Sequence, residues 1–341
     1  MCSEPGLAAP TIDALLAPLS NVEAVLLAVS GGPDSTALLA MTAEWAGRVA
    51  DPPRLYAATV DHALRDESAA EAALVGALSA SIGVPHRVLV WQGVKPKTRL
   101  QERAREARYA LLAAHAREIG APAVVTAHHL DDQAETTLFR LTRGSGVGGL
   151  QAMAPKTDLG GVALLRPLLG VAKRDLVAYC DANGLAYARD PSNENPHYAR
   201  TRMRRLAAGL AAEGLDAASL ARLARRARQI EDALTRQTRT AAARRGLDRM
   251  THCDADALLA EPTEIVQRLL AAAIADVGGR PFQRIALAKI EALTLGLTRA
   301  HAAKAPFSAN VGGARVRLTR GALWVEPEPP RRSAAAPRAR G

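Results

Sequence analysis

A doubly wound parallel α/β sheet followed by a smaller, mostly α-helical domain is the fold class that this sequence predicts. Three observations predict it. Short apolar runs alternate with helical patterns from residue 24 to about residue 190, the signature of βαβ units. Ser30-Gly31-Gly32-Pro33-Asp34-Ser35 lies between the first run and the first helical pattern, where such sheets place a tight strand-to-helix turn. Beyond Pro191–Pro196 the chain turns Ala- and Arg-rich, with helical spacing and few strand signals.

The elements follow in order. Ala24–Val29 is a continuous apolar run, as expected of a strand buried on both faces, and Thr36–Met41 begins a helix. Leu55–Val60 reads as a second strand ending at Asp61-His62. Ser68–Ile82 reads as a helix stopped by Gly83, and His86–Val90 as a third strand. Leu100–Ile119 is a long basic helix closed by Gly120. Ala123–Ala127 is a fourth strand, and the helix after it runs from about Asp132 to Arg143. A glycine-rich loop leads to a fifth strand at Val162–Leu165, then to a helix over Ala172–Asn183 with Gly184 at its C′ position. Helices are expected over Arg200–Glu213, Ala217–Arg245, Pro262–Ala275 and Arg284–Leu295, with a small hairpin over Gly312–Glu326. Pro327–Gly341 holds Pro, Ala and Arg and is expected to be disordered.

The 341 residues leave room for two domains, and the 48% apolar content supplies a core in which Ala, Leu and Val replace scarce aromatics. The net charge of +10 is unevenly spread. Residues 1–191 carry 18 Lys/Arg against 20 Asp/Glu, whereas residues 192–341 carry 26 against 14, a net of +12. The second part therefore suits a polyanion, although a GC-rich coding bias would also raise arginine. Cys2, Cys180 and Cys253 are too few and too widely spaced for a disulfide framework or a CxxC pair, which points to a reducing compartment. The N-terminus lacks a signal-peptide pattern, and no apolar stretch approaches the roughly 18 residues of a membrane span. A cytoplasmic protein without membrane contact is expected.

Ser30–Ser35 carries the clearest chemistry. Two glycines allow close backbone approach, successive N–H groups make an anion nest, and the following helix adds its positive end. Ser30 and Ser35 offer hydroxyls, so phosphate or pyrophosphate is the expected guest. An ordinary capped turn is the alternative. The loop is neither a Walker A motif nor a dinucleotide fingerprint. His128–Thr136 leaves the fourth strand and enters a helix on which Asp132 and Glu135 share a face. Such carboxylates suit Mg²⁺ beside a phosphate site, with Asp131 a further candidate. Asp131 as a helix cap with Glu135 as its capping-box partner is the competing reading. Arg105 and Arg108 share a helical face and suit phosphate or solvent. Arg200, Arg202, Arg204 and Arg205, and then Arg222, Arg225, Arg226 and Arg228, suit a nucleic-acid backbone or a solvated helix face.

The Ser30–Ser35 loop resembles the signature of the PP-loop ATP pyrophosphatases, whose fold is of the adenine nucleotide alpha hydrolase-like type. Further motifs fall in a consistent order: Val60–Arg65 with Ser68 and Glu71, Arg105–Tyr109, His128–Glu135 running into Leu141–Gly146, Asp190–Asn193, and Arg200–Arg204. Together they resemble the tRNA(Ile)-lysidine synthetases, densely over residues 20–210 and more loosely beyond. Thr201 stands where that family usually has Asn. The chain is also expected to end after one hairpin where longer members carry a further domain, so that the tRNA acceptor end is met less extensively or differently.

The resemblance implies ATP-dependent ligation of L-lysine to C2 of cytidine 34 in the isoleucine tRNA with anticodon CAU, through an adenylated cytidine. It implies ATP and Mg²⁺ as cofactors, tRNA(Ile) and lysine as partners, and leaves a homodimer open. Ser30, Gly31, Gly32, Pro33, Asp34, Ser35, Asp61 and His62 would then bind nucleotide. Asp34, Asp132, Arg105 and Arg108 would be catalytic, with Asp131, Asp132 and Glu135 as candidates for lysine or metal, and Asp132 and Glu135 as the metal pair. Arg200, Arg202, Arg204, Arg205, Arg222, Arg225 and Arg226 would meet tRNA. The expected division is an N-terminal segment (1–20), a catalytic domain (21–196), a helical tRNA-binding domain (197–300), a hairpin region (301–328) and a basic tail (329–341). A 2-thiocytidine or thiouridine synthetase of the same superfamily is one rival, although the thiocytidine type carries CxxC pairs. A non-catalytic RNA-binding protein is the other.

Overall fold

The computed structural model describes residues 7–62, 68–93, 95–96, 98–188, 199–244, 252–279 and 286–329. Contacts divide the chain into two units, Met1–Ala227 and Arg228–Gly341. Expected features at Ala63–Arg65, Asp190–Asn193 and 330–341, and the side chain of Arg200, lie outside the described residues.

The first unit opens with α1 (Ala9–Leu16) and a 3-10 turn (Ala17–Asn21), which the apolar pattern does not announce. It continues through β1 (Ala24–Ala28), α2 (Pro33–Ala46), β2 (Arg54–Asp61), α3 (Ser68–Ser81), β3 (His86–Val90), α4 (Leu100–Glu118) and β4 (Ala123–Thr126). Then come α5 (Leu130–Leu141), α6 (Val147–Leu150), β5 (Lys156–Asp158), β6 (Ala163–Leu165), α7 (Lys173–Ala182), α8 (Ala199–Ala212) and the first part of α9 (Ala217–Arg244). The sheet order is β3-β2-β1-β4-β6-β5, parallel except for β5, which runs antiparallel to β6 at the edge.

The central strand explains the two layers. In β1, Val25 and Leu27 point into a core with Leu38, Leu39, Met41 and Leu176, while Ala24 and Leu26 point into another with Leu112, Ala116 and Val124. These four of the five β1 residues are fully buried, so the run has no polar alternation. A smaller cluster of Ala134, Leu138 and Leu220 packs α5 with α8 and the start of α9. Those helices thus belong by contact with the sheet. Because β1 pairs with β2 on one side and β4 on the other, the strand order reverses between β1 and β4. Ligands of open α/β sheets collect at the carboxyl ends of strands beside such a reversal.

The second unit holds the rest of α9, then β7 (His252–Asp254), α10 (Ala255–Leu259), α11 (Thr263–Gly278), α12 (Leu287–Ala302), β8 (Phe307–Val311), β9 (Ala314–Thr319) and β10 (Ala322–Pro327). The expected hairpin is β9–β10, with Val316 opposite Val325, but it is part of an antiparallel sheet ordered β7-β10-β9-β8. Leu323, Val325, Val316 and Leu318 pack on Ile265, Leu270, Ile274 and Ile290 of α11 and α12.

Candidate active site

Two turns meet at the reversal point. The first is Ser30–Ser35, where β1 enters α2. Gly31 has φ +87°, and a Cβ there would approach the carbonyl oxygen of Glu71 to 3.3 Å, so both conformation and space call for glycine. Gly32 occupies the N-cap position and Pro33 the first turn of α2, which fits proline's missing N–H. Ser35 ties the loop together: its Oγ accepts from the Ser30 amide at 3.1 Å and donates to the Gly32 carbonyl at 3.0 Å. Ser30 Oγ lies 3.2 Å from Ser35 Oγ. The Gly32 N-cap has no side-chain cap, which leaves the helix N-terminus to a ligand or water.

The second turn is His128–Asp132, where β4 enters α5. His129 is the N-cap residue, and Asp132 accepts its backbone N–H at 3.1 Å. Asp132 rather than Glu135 therefore caps this helix. The buried imidazole of His129 is ringed by carboxylates, with Nε2 at 3.5 Å from Asp34 Oδ2 and 3.4 Å from Asp132 Oδ2, and Nδ1 at 3.5 Å from Asp131 Oδ2. Lys173, at the start of α7, sets its Nζ 3.6 Å from the same Asp34 oxygen. Its backbone N–H donates to Asp131 at 2.8 Å, which fastens α7 to α5. Asp34 Oδ1 is buried without a hydrogen-bond partner. Three carboxylates and two cations thus meet beside the Ser30–Ser35 turn.

Burial opposes protonation of His129, but Asp131, Asp34 and Asp132 outweigh it and raise its pKa to about 9. In return, His129 holds Asp131 down to about 2, aided by the Lys173 amide. These shifts describe one pair. A histidine whose folded pKa is raised contributes stability that is full below its unfolded value near pH 6.5 and is lost as pH rises through about 9. Across that window His129→Gln should lack up to roughly 3 kcal/mol of pH-dependent stability that the native chain has. Urea midpoints of the two proteins at pH 6, 8 and 9.5 check it. Parallel curves would show that His129 is not an imidazolium.

The remaining predicted residues separate into groups. Asp61 ends β2 and His62 follows it, its ring meeting Trp91 edge-on at 5.9 Å. Arg105 and Arg108 flank Tyr109 on α4, each guanidinium 5.0 Å from the ring centroid. Burial would raise the Tyr109 pKa, yet Arg108, Arg105 and Arg166 together hold it below its usual value. Arg166 is a buried cation that the sequence reading passed over. Its Nη1 donates to the Ala154 carbonyl at 2.7 Å, and the Nε atoms of Arg108 and Arg166 are both buried without acceptors. Glu135 is not brought to Asp132's partners. It is buried and accepts from Arg204 Nε at 2.7 Å, joining α5 to α8. Arg202 and Arg205 are exposed on α8, and Arg222, Arg225 and Arg226 are exposed on α9.

The PP-loop domain profile matches residues 8–208. The tRNA(Ile)-lysidine synthase of Methylobacterium nodulans is 48% identical over 319 residues, which is 91% of each chain. The chain belongs to the tRNA(Ile)-lysidine synthase family of PP-loop proteins. The synthase of Rhodopseudomonas palustris is 45% identical and is covered over 94% of its length, whereas that of Ralstonia nicotianae is 38% identical and covered over 65%. Among solved structures, the U34-tRNA thiolase NcsA of Methanococcus maripaludis has a TM-score of 0.55 at 17% identity, covering 64% of this chain and 77% of its own, a likeness of fold alone. The Ser30–Ser35 turn lies within the matched residues, and ATP use follows from the domain.

His129 and Lys173 are the members of this charged cluster that sequence reasoning missed as a pair. One local signal was available for Lys173: a cation in the first turn of a helix opposes the helix dipole, which favours an acidic partner from another element, and the fold supplies Asp34.

Proposed function

We propose that the chain ligates L-lysine to C2 of cytidine 34 in tRNA(Ile) with anticodon CAU. ATP first adenylates the C2 oxygen, releasing pyrophosphate. The lysine ε-amine then attacks C2 and expels AMP, leaving lysidine. The observation that carries this reading is similarity to lysidine synthases over nine-tenths of both chains, with the second unit included. The site supports it residue by residue. The Gly31-Gly32 turn and the uncapped start of α2 suit pyrophosphate. Arg108 and Arg166 hold buried donors for an anionic intermediate. Asp34 and Asp132 suit the ammonium of lysine and can accept the proton that the attacking amine loses. The reaction takes place within a base, so cytidine 34 must leave its stack to enter. Tests with tRNA(Ile), ATP and labelled lysine should place label in RNA, with AMP and pyrophosphate formed in equal amounts. Pyrophosphate release without label would favour another adenylating enzyme.

Mg²⁺ fits this donor set in a restricted way. Among the described residues no group of three or more His, Cys, Asp or Glu side chains is arranged to hold a metal. Magnesium at phosphate sites takes only one or two carboxylates, the rest of its shell coming from phosphates and water. One of Asp34 and Asp132 would hold it, the other being left to the lysine ammonium, and it would neutralise pyrophosphate charge there. Glu135 is committed to Arg204 and serves to fasten α8. We place the reaction in the cytoplasm; among the described residues no helix is long and apolar enough to cross a membrane.

We assign the tRNA backbone to Arg202 and Arg205 of α8 and Arg222, Arg225 and Arg226 of α9. Arg204 is a poor probe of that surface, because its loss would strand Glu135. A triple Arg222/Arg225/Arg226→Ala variant is expected to bind tRNA more weakly with a shallower salt dependence. Each lost contact lowers the log–log slope by about 0.9 on duplex or 0.7 on single strand. Titrations at several salt concentrations decide it, and an unaltered slope means a merely solvated helix face.

A further inference from the structure

The sheet of the second unit has an open face. Leu323 and Val325 of β10, Val316 and Leu318 of β9 and Cys253 of β7 point into the core, so their neighbours point the other way. The pairing sets these outward residues in rows. His252, Trp324, Arg317 and Ser308 lie side by side across β7, β10, β9 and β8, with Glu326, Arg315 and Asn310 in the next row. The imidazole of His252 and the indole of Trp324 are 4.1 Å apart between ring centroids. Glu326 accepts from Arg315 at 2.7 Å and from Arg317 at 2.9 Å, one carboxylate oxygen to each. Both arginines keep Nε buried, so their guanidiniums lie down on the sheet. The triad keeps a net charge of +1, and each guanidinium retains donors that Glu326 does not use.

We infer that this face is a stacking platform for an unpaired base of RNA, with Trp324 under the base and Arg317 and Arg315 beside the flanking phosphate. The inference rests on RNA being the substrate and names a second place where the chain grips it. Planar aromatic and guanidinium groups in adjacent positions on an antiparallel sheet suit unstacked bases, whose faces are all aromatic. Charge favours the same occupant: residues 228–341 carry 19 Lys/Arg against 11 Asp/Glu, a net of +8. Aromatics are 3% of the chain, and of its three tryptophans Trp45 is core whereas Trp324 stands partly exposed on this face beside two arginines.

The test is equilibrium binding of a labelled single-stranded RNA decamer, and of a duplex of equal length, to the full chain and its variants. Stacking is worth about 1–3 kcal/mol per base, so Trp324→Ala should weaken single-strand binding roughly 5- to 150-fold. The salt slope should not change, because stacking releases no counterions. Trp324→Phe should restore most of the affinity, and duplex binding should be unmoved. Arg317→Ala should instead make the slope shallower by about 0.7. Unchanged single-strand affinity in Trp324→Ala overturns the inference, as does equal loss on both RNAs. So does a change of oligomeric state with RNA binding intact, which would make the face a contact between copies. Lysine incorporation at saturating tRNA is measured in parallel. If the native chain makes no lysidine but Trp324→Ala still loses the single strand, the platform stands and the proposed reaction falls.

Discussion

Asp34→Ala is expected to cut tRNA-dependent pyrophosphate release by about a thousandfold or more while leaving a folded, tRNA-binding protein. Asp34 sits in the first turn of α2, directly after the glycine pair. One of its oxygens faces both His129 and Lys173, and the other is buried with nothing bonded to it. A carboxylate so placed adds little to the core, whose members at this end of the sheet are aliphatic. Its removal leaves an imidazolium and an ammonium with one anion fewer, in the place where pyrophosphate or lysine must settle. The raised pKa of His129 should fall in the variant, because Asp34 is among its causes. Pyrophosphate assays with tRNA present, together with a thermal melt, separate the outcomes. Near-native turnover would remove Asp34 from the chemistry.

Asp132→Asn is expected to lower lysine incorporation by roughly 10²-fold or more. The substitution is informative because Asp132 has two jobs. As the residue that accepts the His129 N–H it is a cap, and Asn caps about as well as Asp. As a carboxylate 3.4 Å from His129 Nε2 it supplies charge, which Asn cannot. The cap's contribution to stability should therefore hold, apart from the part of the His129 shift that the Asp132 charge supports, while activity falls. If both remain near native, Asp132 is only a cap.

The parallel sheet was legible because its signals are local. A strand buried on both faces shows itself as an apolar run: Ala24–Val29 is unbroken, and Leu55–Val60 and Ala123–Ala127 are each interrupted by a single threonine, Thr59 and Thr126. The edge strand Lys156-Thr157-Asp158 is short and polar, with Lys156 and Asp158 exposed, so nothing in its composition marks it. Likewise His252–Asp254 buries only Cys253 and joins its sheet through a partner some seventy residues later. The site divides in the same way. The Ser30–Ser35 turn and the carboxylates after β4 are contiguous motifs with a physical purpose. Lys173 and Asp131 are 42 residues apart, Glu135 and Arg204 are 69 apart, and only the fold brings each pair together. Spacing along one helix suggested that Asp132 and Glu135 share a cation. Tertiary packing gave them separate partners.

The most direct test of the proposed reaction is mass analysis of the nucleoside at position 34 after incubating tRNA(Ile) CAU with the protein, ATP, Mg²⁺ and lysine. The account predicts a cytidine heavier by one lysine less one water, formed only when lysine is present. An unmodified cytidine, or one with sulfur in place of oxygen, would contradict it.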